Sequence, residues 1–298
     1  NGRLIFASEI KSILTQMKAS INCDALASFL SFNYIPIPGT MFKGIKHVKP
    51  GHFVKVTRDS IEEVKWWDLS AIETVQGKSE ETWISEINEL LDDAVRLRLR
   101  SDVPFGAFLS GGVDSSSVVG YMSKHMKQPV NTYCIGFDDP KYDESPFAQE
   151  AAIRFETNHK TEIVEANLLK HWPMATYHCD QPHGDVSFLP TYRVAKLAAQ
   201  DVKMVLTGDG ADELFAGYDK YKYFFADEFV SNCTNEQFVQ AYAENISLFG
   251  EKRLKEVLSK SVLDKIENNN QYIDKVYGVL DEVPHMDRIN KALYLDTQ

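Results

Sequence analysis

Residues 108–120 read FLSGGVDSSSVVG. The apolar VPFGAFLS that leads into this stretch has the character of a buried strand, and the SSSVVGYMSKHM that leads out of it has helical spacing. In open α/β sheets, ligands bind where the carboxyl ends of the strands meet such turns. Gly111 and Gly112 admit positive φ and a close backbone approach. A helix starting near Ser115 aims unpaired N–H groups back at the turn, and its dipole favours an anion there. Ser110, Ser115 and Ser116 add hydroxyl donors, so the loop suits phosphate. A glycine turn capped by Asp114 is the plain structural alternative. The loop lacks the lysine of G-x-x-x-x-G-K-[ST] and the spacing of G-x-G-x-x-G.

Working outward, strands and helices alternate. VNTYCIGF is read as a strand, SPFAQEAAIRFE as a helix, HKTEIVEA as a strand, FLPTYRVAKLAAQ as a helix and VKMVLTG as a strand. That order predicts an α/β fold with a parallel, doubly wound sheet. Before the sheet, residues 82–100 set Ile84, Ile87, Leu91, Ala94 and Val95 on one helical face. From about Asp219 the pattern is mostly helical and rich in aromatics, and core packing is expected of Phe215, Tyr218, Tyr221, Tyr223, Phe224 and Phe225. Towards the N-terminus, residues 3–8 read as a strand, SEIKSILTQM as a helix, and CDALASFLSF as a helix capped by Asp24. HFVKV and IEEVKWW read as a hairpin, and residues 70–81 as a linker.

The second loop, VKMVLTGDGADELFAGY at 202–218, again ends a strand in a glycine-rich turn, now with Asp209, Asp212 and Glu213. With both strands parallel, the two loops share one sheet edge. Asp114, Asp212 and Glu213 are then candidates for a shared Mg²⁺, because hard oxygen ligands suit that ion. A solvated acidic turn is the alternative for the second loop alone.

Net charge is −11, with 44% hydrophobic and 25% charged residues. The acidity argues against a duplex nucleic-acid surface or a polybasic membrane patch. Cys23, Cys134, Cys179 and Cys233 form no CxxC pair, which fits reduced thiols in a cytoplasmic protein. His178, Cys179, Asp180, His183 and Asp185 fit no zinc spacing and read as a polar loop on the substrate side. Asp138, Asp139, Asp143 and Glu144 fail the EF-hand pattern and read as a solvated loop.

FLSGGVDSS resembles the loop of the ATP pyrophosphatase superfamily. With VLTGDGADELFAGY it resembles the synthetase domain of glutamine-dependent asparagine synthetases. CIGFDDPKYDESPFAQEAA and HCDQPHGDVSFLPTYRVAKLA resemble further stretches of that domain, although Gln181 stands where Glu is usual. LIFASEIKSIL, YIPIPGTMFKGIKHVKPGHFVKV and WWDL resemble the end of the family's glutaminase domain. The resemblance implies an adenine nucleotide alpha hydrolase-like sheet with a helical C-terminal part. It divides the chain into a partial N-terminal-nucleophile (glutaminase) remnant at 1–72 and an ATP-binding domain at 78–298.

The same resemblance implies ATP-dependent adenylation of the β-carboxylate of aspartate, then attack by ammonia derived from glutamine. The products are asparagine, AMP and pyrophosphate, with ATP and Mg²⁺ required. Carried over by position, Leu109 and Ile135 contact the adenosine, and Ser110, Gly111, Gly112, Asp114 and Ser115 hold the pyrophosphate. Thr207 and Gly208 lie beside the nucleotide, and Asp209, where several members carry Glu, acts near the acyl-adenylate. Asp114, Asp212 and Glu213 are the metal-side residues. Residue 1 is Asn where the glutaminase uses a nucleophilic cysteine, and neither Lys220, Lys222 nor any later lysine is matched to the family's catalytic lysine. A piece of a longer protein that binds Mg·ATP and turns over poorly is therefore expected, with a homodimer as the oligomer considered. Amidation of another carboxylate, lactam formation, tRNA modification and an inert nucleotide-binding scaffold are the rival readings.

Overall fold

The computed structural model describes residues 3–73, 75–165, 167–266, 278, 280, 283 and 285–296. Two compact units emerge from the contacts. One comprises Asn1–Glu73, Thr176–Asp185 and Glu213–Gln298; the other comprises Thr74–Ala175 and Val186–Asp212.

The first unit contains an antiparallel hairpin of β1 (His52–Val56) and β2 (Ile61–Lys65), in the register His52↔Lys65 to Val56↔Ile61. The strand expected over residues 3–8 is not formed. Phe6 there is 87% exposed, and no neighbouring backbone supplies a ladder among the described residues. The helix after it is only Ile10–Leu14. The next helix, Cys23–Phe32, is capped by Asn22, whose side chain accepts the Asp24 N–H at 3.2 Å; Asp24 sits in the first turn instead of at the cap. Phe224 and Phe225 pack against a core that includes Phe238, Val239 and Tyr242. Tyr221 is buried as expected, whereas Phe215, Tyr218 and Tyr223 face solvent, so core packing explains only half of that aromatic run.

The second unit is built on a four-stranded sheet of β3 (Phe105–Phe108), β4 (Asn131–Phe137), β5 (Asn158–Val164) and β6 (Met204–Leu206). The order is β5-β4-β3-β6 and every pair is parallel. Parallel strands bury both faces, and the residue alternation shows it. Ala107, Leu109, Cys134 and Leu206 point into a core with Val119 and Met122 of the Val113–His125 helix and Ala148 and Ala152 of the Ser145–Arg154 helix. Phe108, Tyr133 and Val205 point the opposite way, against Val194, Leu197 and Ala198 of the Phe188–Ala198 helix. The sheet is doubly wound, as its strand–helix rhythm predicts.

The Glu80–Arg98 helix begins at Ser79, whose hydroxyl accepts the Thr82 N–H at 3.3 Å. Its acidic first turn and basic last turn complement the helix dipole. Of the face expected to be buried, Val95 is enclosed and Leu91 packs on the core, but Ile84 and Ile87 stay exposed. No helix among the described residues is long and apolar enough to cross a membrane.

Candidate functional site

The first loop leaves β3 through Leu109, which is 1% exposed and whose N–H bonds the Tyr133 carbonyl at 2.9 Å. The helix starts at Val113, two residues earlier than expected, with Gly112 as its N-cap. Asp114 therefore lies in the first helical turn, not at the cap. The first-turn N–H groups have no intrahelical acceptor and open onto the loop. Serine hydroxyls stitch the turn together. Ser115 Oγ accepts the Ser110 N–H at 3.2 Å and lies 3.0 Å from Ser110 Oγ, and Ser110 Oγ accepts the Gly112 N–H at 3.3 Å. Ser116 Oγ is buried and meets no partner among the described residues.

Two glycines fix the position of this loop. Gly111 has φ +87°, and a Cβ there would lie 2.4 Å from the Phe147 carbonyl carbon and 2.5 Å from Ala148 N. The start of the Ser145–Arg154 helix thus presses on one side of the turn. On the other side, a Cβ on Gly208 would lie 2.7 Å from Ser115 N and 2.9 Å from Asp114 Cβ. The second loop therefore packs directly on the first turn of the helix. β3 and β6 are neighbours, with Phe105↔Met204 to Ala107↔Leu206 in register, so both loops leave the same edge of the sheet.

The second loop is held by Thr207. Its hydroxyl donates to Asp209 Oδ2 at 2.9 Å and accepts the Asp209 N–H at 3.4 Å. Gly210 follows at φ +91°, in open space. Asp212 ends the second unit and Glu213 begins the last stretch of the first, both on the short Ala211–Phe215 helix. Tyr218 Oη donates to Glu213 Oε1 at 2.7 Å. Ile135 lies on β4, beside β3, two residues before the strand ends, and pairs with Glu162 of β5.

The structure therefore brings together Leu109, Ser110, Gly111, Gly112, Asp114 and Ser115 with Thr207, Gly208 and Asp209. Among the described residues, no three His, Cys, Asp or Glu side chains converge to hold a metal ion unaided.

Two acidic groups have roles that sequence reasoning assigned differently. Asp143, read as solvated, accepts N–H groups from Phe137 at 3.2 Å and Ser145 at 3.1 Å, and it tucks against Gly136. Hydrogen bonds from Ser145 hold its carboxyl below the usual range. It anchors the helix that presses on Gly111; the D-x-S-P pattern before a helix is the signal that marks it. Asp180, read as substrate-side, has φ +67° and accepts the Ile10 and Lys11 N–H groups at 2.7 and 3.1 Å, with Lys11 Nζ also 2.7 Å away. Gln181 accepts the Met41 N–H at 3.1 Å. These side chains are occupied in tying the Thr176–Asp185 segment to the N-terminal residues of its own unit.

Comparison with known proteins matches residues 86–298 to asparagine synthase and residues 1–67 to the glutamine amidotransferase domain. Asparagine synthetase (glutamine-hydrolyzing) 1 of Bacillus subtilis is 33% identical over 224 residues, which cover 74% of this chain and 35% of that protein. A putative asparagine synthetase (glutamine-hydrolyzing) 2 of Methanocaldococcus jannaschii is 37% identical over 226 residues, covering 72% of this chain and 42% of that protein. Amidase chyE of Penicillium rubens is 33% identical over 240 residues, covering 74% and 35% respectively. The chain thus spans well under half the length of these relatives. With the family pattern matched over most of its residues, the chain belongs to the asparagine synthase family.

Proposed function

We propose that the chain carries the ATP-splitting and amide-forming site of a glutamine-dependent asparagine synthetase. The observation that carries this reading is the packing of Gly208 on Asp114 and Ser115, which joins two glycine-rich turns at one edge of a parallel sheet. In this reading residues 1–72 are the end of a glutaminase domain and residues 78–298 form the ATP-binding domain.

The chemistry proceeds in two displacements. A carboxylate oxygen of aspartate attacks the α-phosphorus of ATP, the bond to the β-phosphate oxygen breaks, and pyrophosphate leaves. Ammonia then attacks the acyl carbon, AMP leaves with the bonding electron pair, and the nitrogen loses a proton to give the amide. The chain's own part is positioning and charge compensation. Ser110, Gly111, Gly112 and Ser115, with the first-turn N–H groups, receive the leaving pyrophosphate. Ser116 Oγ, buried and unpartnered, supports a polar occupant of this turn. Leu109 and Ile135 flank the adenosine, and Thr207 and Gly208 line the nucleotide.

Asp209, oriented by Thr207, stands at the acyl centre. A Mg²⁺ keeps several waters and takes one or two carboxylates together with substrate phosphates. That donor set fits Asp114, in the first turn of the Val113–His125 helix, and Asp212, on the short Ala211–Phe215 helix, with Glu213 its neighbour in sequence. The ion would neutralise charge on the departing pyrophosphate.

A second reading has the same site amidating a different carboxylate. Asp209 favours it, because its carboxylate stands one methylene short of the Glu that several members carry. Pyrophosphate–ATP exchange measured with aspartate and with a panel of other acids tests both. Exchange dependent on aspartate, with asparagine formed on adding ammonium, supports the first reading. Exchange with another acid alone replaces it with the second, and absence of Mg·ATP binding by calorimetry overturns both.

A further inference from the structure

The end of β4 that carries Ile135 is held from one side. On the β3 side the ladder runs only through Ala107↔Thr132 and Phe108↔Tyr133, closed by the Leu109 N–H on the Tyr133 carbonyl. On the β5 side it continues to the end of the strand, as Ile135↔Glu162, Gly136↔Ile163 and Phe137↔Val164. Phe137 has a further hold in Asp143. β5 is itself an edge strand, with β4 its only ladder partner among the described residues. The place of Ile135 therefore depends on what fastens β5.

Arg193 supplies that fastening. Tyr133 packs against the Phe188–Ala198 helix. Side chains two apart on a strand share a face, so Ile135 and its partner Glu162 lie on that helix's side of the sheet. From the helix the Arg193 guanidinium forks: Nη2 donates to Glu162 Oε1, and Nη1 donates to His171 Nε2 at 2.9 Å. His171 stands in the Leu169–His171 turn that follows β5. A guanidinium only donates, so Nε2 is the bare nitrogen and the ring is neutral. Burial first, then the cations Arg193, Lys170 and Lys196, hold its titration below the ordinary histidine range. The Arg193 side chain is 18% exposed, and its Nε is buried without a partner among the described residues. The fork is therefore what compensates a largely buried charge. Nearer the start of β5, Lys160 pairs with Asp201 at 2.7 Å, but those side chains are 47% and 33% exposed, and surface pairs of that kind contribute little.

We infer that Arg193 is a positioning residue for the nucleotide, setting the adenosine side of the site through Glu162 and the turn after β5 through His171. The inference rests on the proposed reading of Ile135 as an adenosine contact. Arg193 itself need touch no atom of ATP. The pyrophosphate side is fixed by other means, the Ser110–Ser115 hydroxyl pair and the close contacts of Gly111 and Gly208. Loss of the fork should therefore loosen the grip on adenosine and leave the grip on pyrophosphate as it was.

Isothermal titration calorimetry of the 298-residue chain with Mg·ATP and, separately, with Mg·pyrophosphate tests this. Arg193→Met keeps much of the side chain's length and removes both arms of the fork. The expected result is Mg·ATP binding weakened about tenfold, the size of one lost hydrogen-bonded contact. Mg·pyrophosphate binding should stay within about twofold of the parent chain. His171→Phe should weaken Mg·ATP binding about threefold, and His171→Gln, whose Oε1 accepts where Nε2 did, should restore it. This second pair carries the test if circular dichroism shows that Arg193→Met does not fold. Parent-like Mg·ATP binding by a folded Arg193→Met overturns the inference. So does an equal loss of both ligands, the mark of a general structural defect, or a His171→Gln that binds no better than His171→Phe. In those cases the parent chain still binds Mg·ATP and the proposed function stands. A parent chain that binds no Mg·ATP overturns both.

Discussion

Gly208→Ala is the most direct probe of the candidate site. The added methyl would stand 2.7 Å from Ser115 N and 2.9 Å from both the carbonyl carbon and Cβ of Asp114. Ordinary contacts lie near 3.5 Å, so the two loops must part by roughly 0.8 Å. Two of the three opposing atoms are backbone at the start of the helix, and no flexible side chain is available to swing aside. Overpacking of this kind costs about 1–3 kcal/mol of stability. A misplacement approaching 1 Å in a site that works by positioning costs on the order of 100-fold in rate. The expected outcome is a lowered denaturation midpoint together with Mg·ATP affinity and aspartate-dependent exchange reduced by about 10- to 100-fold. Gly250→Ala serves as the control, since a Cβ there meets nothing within 4 Å. If Gly208→Ala bound Mg·ATP and unfolded like the parent chain, the close approach of the two loops would have no bearing on the site.

Gly111→Ala should be harsher, because it adds positive-φ strain (φ +87°) to a 2.4 Å clash with backbone; a loss of about 2–4 kcal/mol by urea denaturation is expected. Asp143 provides a pH test. Its carboxyl titrates below the ordinary range because of hydrogen bonds from Ser145. Its stabilisation is therefore complete above the unfolded-state pKa and lost as pH falls through the lower folded value. Asp143→Asn should flatten that acid limb in a series of denaturation curves. Met122→Ala, at a fully buried position on the core-facing side of the first loop's helix, should cost about 2–5 kcal/mol, visible as a shifted midpoint with the secondary structure retained at low temperature.

Much of the sheet could be read from the chain because its signals are local. The run VPFGAFLS followed by a glycine turn and SSSVVGYMSKHM needs only neighbouring residues to say strand, turn and helix, and the same holds for β4, β5 and β6. The hairpin of β1 and β2 was legible for the same reason. The failures are also instructive. Residues 3–8 have strand composition, but strand formation depends on a partner for its backbone groups, and none is present among the described residues. Asp24 lost the capping position to Asn22, a shift of two residues that composition alone does not resolve. Along the Glu80–Arg98 helix, periodicity showed an apolar face but not which part of it a second helix would cover.

By itself the sequence determined the class of fold, the two glycine-rich turns and the family, because turn chemistry and strand–helix rhythm act over short stretches of chain. Only the tertiary structure decided what touches the turns. Strand order β5-β4-β3-β6 makes β3 and β6 neighbours, and that adjacency seats Gly208 on Asp114 and lets the Ser145–Arg154 helix press on Gly111. Asp180 shows the same limit from the other side. Its partner Ile10 lies 170 positions away, and no local pattern marks a carboxylate that satisfies backbone N–H groups at such a distance. Contacts of that kind arise from burial and hydrogen-bond satisfaction across the folded chain, where each polar group must find a partner wherever packing has placed one.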